Sequence, residues 1–145
     1  MKNSKSILAP VLATIFLLAL FLRLYKLESQ SFWLDEYFNV LTANAQSFKI
    51  SDFLPPLYIF LLKFWLQFFP VTEFFVRLPG ALIGAGSVLL FYLFAKELFD
   101  RDVAVLSGLI LAISAIHVDY SQEAKYYSTA LAMAMLLNYG FVRTL

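Results

Sequence analysis

Four stretches of this sequence carry almost no charge, and each comes close to the length a helix needs to cross a bilayer. A span takes roughly 20 mostly apolar residues, within a range of about 17–25. Ile7 to Tyr25 is apolar apart from Arg23 near its end. Leu78 to Ala95, Val103 to Val118 and Tyr126 to Val142 hold no Asp, Glu, Lys or Arg at all. Flanking Lys and Arg can snorkel to the headgroups and make up the missing length. The pattern predicts an all-α, polytopic membrane protein with about four transmembrane helices. Composition removes the alternatives: 61% of the 145 residues are hydrophobic and 14% charged, against about 25% charged in a soluble domain. A disordered chain is polar and charge-rich, so disorder goes too. With no Cys and one His, disulfides, thiolate metal sites and a paired-histidine zinc motif are excluded. A net charge of +1 leaves no basic footprint for nucleic acid.

The chain reads as a single membrane module, 1–145, with spans at about 7–25, 78–95, 103–118 and 126–142. Lys2 and Lys5 before the first apolar core give it the layout of a signal peptide, but no small-x-small cleavage site follows, so an uncleaved anchor is expected. Pro10 is expected in the first turn of that span, where its missing N–H costs little. The segment 26–77 is mixed and predicts juxtamembrane helices at about 32–46 and 56–69. The second is apolar, but Pro55-Pro56 and Pro70 bound it and Lys63 sits in its middle. About 13 residues make about 20 Å of helix, short of a core about 30 Å thick, and a central lysine costs about 2.5–3.5 kcal/mol. Its Phe, Trp and Tyr content suits a helix lying at the interface. With Lys2 and Lys5 inside, 26–77 and 119–125 fall outside. That face then carries Glu28, Asp35, Glu36, Asp52, Glu73, Asp119 and Glu123, seven of the ten acids.

Three constellations can carry chemistry. The first runs Ser31-Phe-Trp-Leu-Asp35-Glu36-Tyr-Phe-Asn39. At 3.6 residues per turn Asp35, Glu36, Asn39, Thr42 and Gln46 share one side, and Trp33, Leu34, Tyr37 and Leu41 the other. Adjacent acids near an apolar surface suit a general base; a solvated acidic face is the plainer reading, and the residues alone leave the two level. The second is His117-Val-Asp119-Tyr-Ser-Gln122-Glu123-Ala-Lys125-Tyr126-Tyr127, read as a short turn dense in functional groups between two spans. Its plainer reading is an interface belt of Tyr and Lys, with His117 a satisfied helix-end residue. The third is Pro55-Pro56-Leu-Tyr58 with Lys63 and Arg77, suited to an anionic headgroup or phosphate unless Arg77 only snorkels. Gly80-Ala-Leu-Ile-Gly84 matches the small-xxx-small pattern of helix contact.

Taken in order, RLYKLESQSFWLDEYFNV, PPLYIFLLKFWLQFF, EFFVRLPGALIG, AKELFDRDVAVLSGLILAIS and YSQEAKYYS give the chain a family likeness from about Leu22 to Ala132. It resembles the N-terminal part of GT-C type membrane glycosyltransferases, and more closely the bacterial and archaeal relatives of protein O-mannosyltransferases and of the aminoarabinose and galacturonic acid transferases of lipid A. The resemblance implies a sugar taken from a polyprenyl-phosphate carrier and passed to a lipid, glycan or protein acceptor at the outer face of the plasma membrane. It implies that Asp35, on a juxtamembrane helix of the first outer loop, lies at the reaction centre with Glu36 beside it. The YSQEA motif maps to Tyr120 through Ala124, followed by Lys125 where relatives often have Arg.

A sugar phosphate has a good leaving group, so the pair of carboxylates that glycosidases need is not required. The transition state needs the phosphate charge neutralised and a base on the acceptor hydroxyl. Asp35 is the expected base of a one-step inverting displacement. Glu36 and Glu123 are expected to orient the acceptor or, with Asp35, to hold a divalent cation. Tyr58, Lys63, Arg77, Gln122, Lys125 and Tyr126 are the candidates for substrate and phosphate contacts. Relatives run to several hundred residues with about a dozen spans. Residues 1–145 alone are therefore expected to be inactive, with the rest of the enzyme supplied by further sequence or a second chain. The competing expectation is a small non-catalytic membrane subunit or scaffold.

Overall fold

The structure, a computed structural model, describes residues 3–45 and 56–144. Gln46 and Pro55 of the constellations, and Lys2, Lys49 and Asp52 of the charge pattern, lie outside those residues. Among them the chain is all helical: α1 (Asn3–Leu24), α2 (Leu34–Asn44), α3 (Pro56–Trp65), α4 (Glu73–Leu98), α5 (Arg101–Ile113), α6 (Ala115–Gln122) and α7 (Tyr127–Thr144). α1 and α4 are long and apolar enough to cross a membrane, and α5 with α6 make a third candidate if the bent pair is one span. The chain is a helical membrane protein. At ten residues α3 reaches about 15 Å, too short to cross.

Both long helices run through a proline, and Pro10 lies further inside than expected. α1 starts at Asn3, so Pro10 sits about two turns in rather than in the first turn. α4 starts at Glu73 and runs through Pro79. A proline leaves the carbonyl four residues back without its helical donor, and here that carbonyl, of Phe75, accepts the indole N–H of Trp65 at 2.8 Å. α3 thus supplies the bond that Pro79 cannot.

The expected third span is broken. α5 and α6 meet at Ser114 with a 55° bend, and Asp119 to Gln122, expected beyond the span, continue in α6. No Pro or Gly marks the break. The carbonyls at the break, of Leu111, which also takes the Ser114 N–H, and of Ala112, accept from the Arg23 guanidinium at 3.4 and 3.2 Å. Arg23, expected near the membrane surface, instead folds back into the bundle and is fully buried.

α4 is the central element, with α1, α5, α6 and α7 packed around it. At membrane depth Ile15, Ala19, Ala85, Val88 and Ala112 form the core, small residues that let helix backbones approach closely. Gly80 and Gly84 of α4 face the end of α6. A Cβ on Gly80 would lie 3.2 Å from the Ser121 and Glu123 carbonyls, and one on Gly84 would overlap the Ser121 side chain. The small-xxx-small pattern is a helix contact. α2 and α3 pack on one another near the start of α4 around Val40, Tyr58, Ile59, Leu62, Val76 and Ala124.

Candidate functional site

α2 carries its polar side inward. Glu36 and Asn39 are buried, while Leu34, Tyr37, Phe38 and Leu41 are turned outward. That is the reverse of a water-soluble helix and fits a surface whose surroundings are apolar. Successive residues on a helix point about 100° apart, so the two adjacent acids part company. Glu36 enters the protein and Asp35 stays at the rim, 73% exposed.

Glu36 is the centre of a saturated knot. Its Oε1 accepts from Arg77 Nε at 3.0 Å and from the Ala124 N–H at 2.6 Å. Its Oε2 accepts from Arg77 Nη2 at 2.8 Å and from the Trp33 N–H at 3.0 Å. Burial alone would raise this carboxyl, but the bonds from Arg77, Ala124 and Trp33 and the Arg77 charge outweigh it and hold it below the usual range. Arg77 in turn donates Nη1 to the carbonyls of Leu27 and Gln30 and Nη2 to that of Ser31. The five N–H groups of a guanidinium are all engaged, and the segment from Leu27 to Phe32 is wound around it. Asn39 adds a bond from Nδ2 to the Ala124 carbonyl at 2.9 Å. The LDE and YSQEA motifs, joined by a bond between residues 88 apart in sequence, are thereby pinned together.

Beside the knot lies a second, open arrangement. Lys125 Nζ stands 3.2 Å from Asp35 Oδ2 and 3.2 Å from Glu123 Oε2. Partial burial would lower the ammonium, but the bonds to Asp35 and Glu123 prevail and hold it charged, above its usual range. Two carboxylates and one ammonium leave one net negative charge at a surface. Tyr126 lies exposed next to it, its ring 4.9 Å from Tyr127, which is 4.6 Å from Tyr120.

The remaining candidates are turned into the protein. Tyr58 is fully buried in the α2–α3 core, where burial, with the Glu36 charge adding, pushes its phenol up. Lys63 Nζ bonds the Ala45 carbonyl at the end of α2. Gln122 Nε2 donates to the carbonyls of Leu22, Arg23 and Tyr25, capping α1. A divalent cation does not fit the set Asp35, Glu36 and Glu123. Glu36 has its acceptors filled from within the protein, and the ammonium of Lys125 stands where a cation between the other two would go.

Arg23 was not among the expected site residues. Its Nη1 also bonds the Ala19 carbonyl, and Nη2 bonds His117 Nδ1. Ser87 Oγ donates to the Gly84 carbonyl at 2.8 Å, so it receives the Nε2–H of His117 at 3.2 Å. This arrangement makes His117 a satisfied helix residue, a neutral ring with its proton on Nε2.

The sequence model of a family described as dolichyl-phosphate-mannose-protein mannosyltransferase matches residues 54–145. That range holds α3 to α7 with Glu123 and Lys125, and leaves Asp35 and Glu36 before it. Among curated proteins, dolichyl-phosphooligosaccharide-protein glycotransferase 2 of Pyrococcus furiosus is 32% identical over 100 residues, which are 63% of this chain and 13% of that protein. No solved structure matches the chain.

Proposed function

The chain belongs to the dolichyl-phosphate-mannose-protein mannosyltransferase family, of GT-C type, and from that premise we propose that it serves a membrane glycosyltransferase. The enzyme moves a sugar from a polyprenyl-phosphate carrier to an acceptor hydroxyl of a lipid, glycan or protein. The reaction takes place at the extracytoplasmic face of the plasma membrane. α1, α4, the α5–α6 pair and α7 are its four spans, and α2 and α3 lie at the outer interface. The meeting of the 26–77 segment with the 119–125 segment at one end of the bundle supports this topology.

The observation that carries the reading is the contrast between two neighbouring acids. Glu36 has no acceptor left, whereas Asp35 is exposed and held by Lys125 together with Glu123. Asp35 takes the proton of the acceptor hydroxyl. The acceptor oxygen forms its bond to the anomeric carbon as the bond from that carbon to the phosphate oxygen breaks. The electron pair leaves with the polyprenyl phosphate, and the configuration inverts in one step. Lys125 orients Asp35 through the reaction and offers positive charge to the departing phosphate, with Glu123 fixing the ammonium from the other side. Tyr126 borders the same surface and contacts substrate. Arg77 and Gln122 act at one remove, by holding the two segments in place.

The test is Asp35→Asn in the full-length protein, assayed for transfer from a polyprenyl-phosphate sugar. A loss of about 100-fold or more is expected for removal of a general base. Transfer within about tenfold of the unaltered protein ends the assignment, since general-base catalysis contributes at least about 100-fold.

A further inference from the structure

A cavity of about 570 Å³ opens beside Glu123, the second partner of Lys125. Its lining brings Tyr25, Lys26, Gln30 and Trp33 of the segment after α1 against Asp119 and Glu123 of the α6 end. The volume lies in the range of small-molecule sites, about 300–1,000 Å³. Glu123 belongs to both places, since it lines the cavity and pairs with the lysine that holds Asp35.

The lining is chemically mixed. Asp119 makes no hydrogen bond or ion pair with the described residues, and the Lys26 ammonium meets only the Tyr25 ring, 5.5 Å from its centroid. Lys26 also stands at φ 56°, a left-handed conformation that a lysine adopts at some cost. The space has no excess of positive charge: Lys26 stands with Asp119 in the lining, and Glu123 shares its lysine, Lys125, with Asp35. A phosphate would meet Asp119 and Glu123 as like charges, while a neutral ligand escapes that repulsion. Trp33 and Tyr25, 61% and 56% exposed, add two broad apolar surfaces that need no partner of their own in the protein.

Donors and acceptors together, no excess of positive charge and open aromatic faces describe a site for a neutral, many-hydroxyl ring. We propose that this cavity takes the pyranose ring of a sugar substrate, with Asp119, Glu123, Gln30 and Lys26 on its hydroxyls and Trp33 and Tyr25 against its carbon–hydrogen faces. The proposal rests on the glycosyltransferase reading and names the place of one sugar within it. The ring belongs to the lipid-linked donor or to a glycan acceptor, and the chemistry of the site is the same for both.

The experiment uses Trp33→Ala and Asp119→Asn in the full-length protein, two exposed positions whose replacement leaves the helix packing intact. On the Asp35→Asn background, binding of polyprenyl-phosphate mannose and of sugar-free polyprenyl phosphate is titrated in nanodiscs. Each variant is expected to weaken binding of the sugar-bearing carrier by about fivefold or more, the worth of one lost hydrogen bond or contact, and to leave the sugar-free carrier unchanged. That result places the donor's ring in the cavity. Unchanged donor binding with an acceptor KM raised about fivefold, measured with Asp35 intact, places an acceptor ring there instead. Equal weakening of both carriers makes the site one for lipid or phosphate and overturns the proposal, as does no change in either substrate. Should Asp35→Asn transfer sugar normally while the binding change persists, the assignment of the base fails and the sugar site stands.

Discussion

Arg23 and Arg77 are both buried within one bundle, at 0% and 4% exposure, yet they are neutralised by different chemistry. Arg77 faces a carboxylate, Glu36, and the carbonyls of the segment wound around it. Among the described residues Arg23 meets no carboxylate. Its partners are the carbonyls that end α5, one carbonyl of its own helix, and a histidine ring. The C-terminal end of a helix carries about half a negative charge, so the break at Ser114 supplies a counter-field in place of a counter-ion. At Arg77 a charge pair ties two segments of the chain together, while at Arg23 a cation closes a broken helix without a second ion.

The two differ most in what is left when the arginine is removed. Arg77→Met leaves Glu36 buried without its counter-charge, and breaking such a pair costs about 3–5 kcal/mol. A fall of that size is expected in the thermal stability of the purified protein. Its pH dependence should also change sign. With Arg77 present, the Glu36 carboxyl sits below its unfolded value of about 4.3, so its contribution is complete above that pH and is lost as pH falls through the lower, folded value. Without Arg77 the burial that raises the carboxyl is left in command, and the folded state prefers the protonated acid. Relative to the unaltered protein, the variant should then gain stability on going from about pH 7 to 5. No change in the difference between variant and parent across that range means that the remaining backbone donors alone keep Glu36 ionised.

Arg23→Gln is expected to cost less, about 1–3 kcal/mol, because it leaves neutral carbonyls without a donor rather than an orphaned ion. Melting curves of the two variants side by side check the ranking. If Arg23→Gln proves the more damaging, the helix break depends on the guanidinium for more than capping.

How much of this was legible in the sequence differs between the two regions. The long apolar runs gave α1 and α4, and the proline-bounded aromatic run gave α3, because length and hydropathy alone decide those. The LDE and YSQEA motifs could be set on one face by counting spans. Which side of α2 turns inward could not be read, since a helical wheel separates polar from apolar without saying what surrounds the protein. Asp35 and Glu36 therefore looked equivalent, and only packing assigned one to the knot and one to the rim. The break at Ser114 left no signal either, as neither Pro nor Gly marks it. Arg23 looked like a residue snorkelling at a span end because its partners, backbone carbonyls 88 and 89 residues away, are invisible in composition.

Gln122 links the two regions, since its amide caps the carbonyls that end α1 from the end of α6. Gln122→Ala is expected to cost about 0.5–1.5 kcal/mol, less than either arginine, because the group is neutral and water at the rim can reach part of what it leaves. The loss should be less than additive with that of Arg23→Gln, as both changes loosen the same junction of α1 with α6. Full additivity in the double variant means that the inner and outer locks act independently.

The smallest effect on stability is expected from Asp35→Asn. The carboxylate is mostly exposed and its lysine has a second partner in Glu123, so the pair is worth about 0–1 kcal/mol. The pairing should weaken further as salt is raised, because screening acts strongly on exposed charges. Measured in the same preparation that loses transfer, a melting temperature within a degree or two of the parent separates Asp35 from the buried pair of Glu36 and Arg77 beside it. Glu36 is one helical position away and carries the fold, and its loss would abolish activity by unfolding. Only a variant that keeps its stability while losing its chemistry identifies the reacting group, and among the acids at this end of the bundle the exposed Asp35 is the one whose surroundings lead to that expectation.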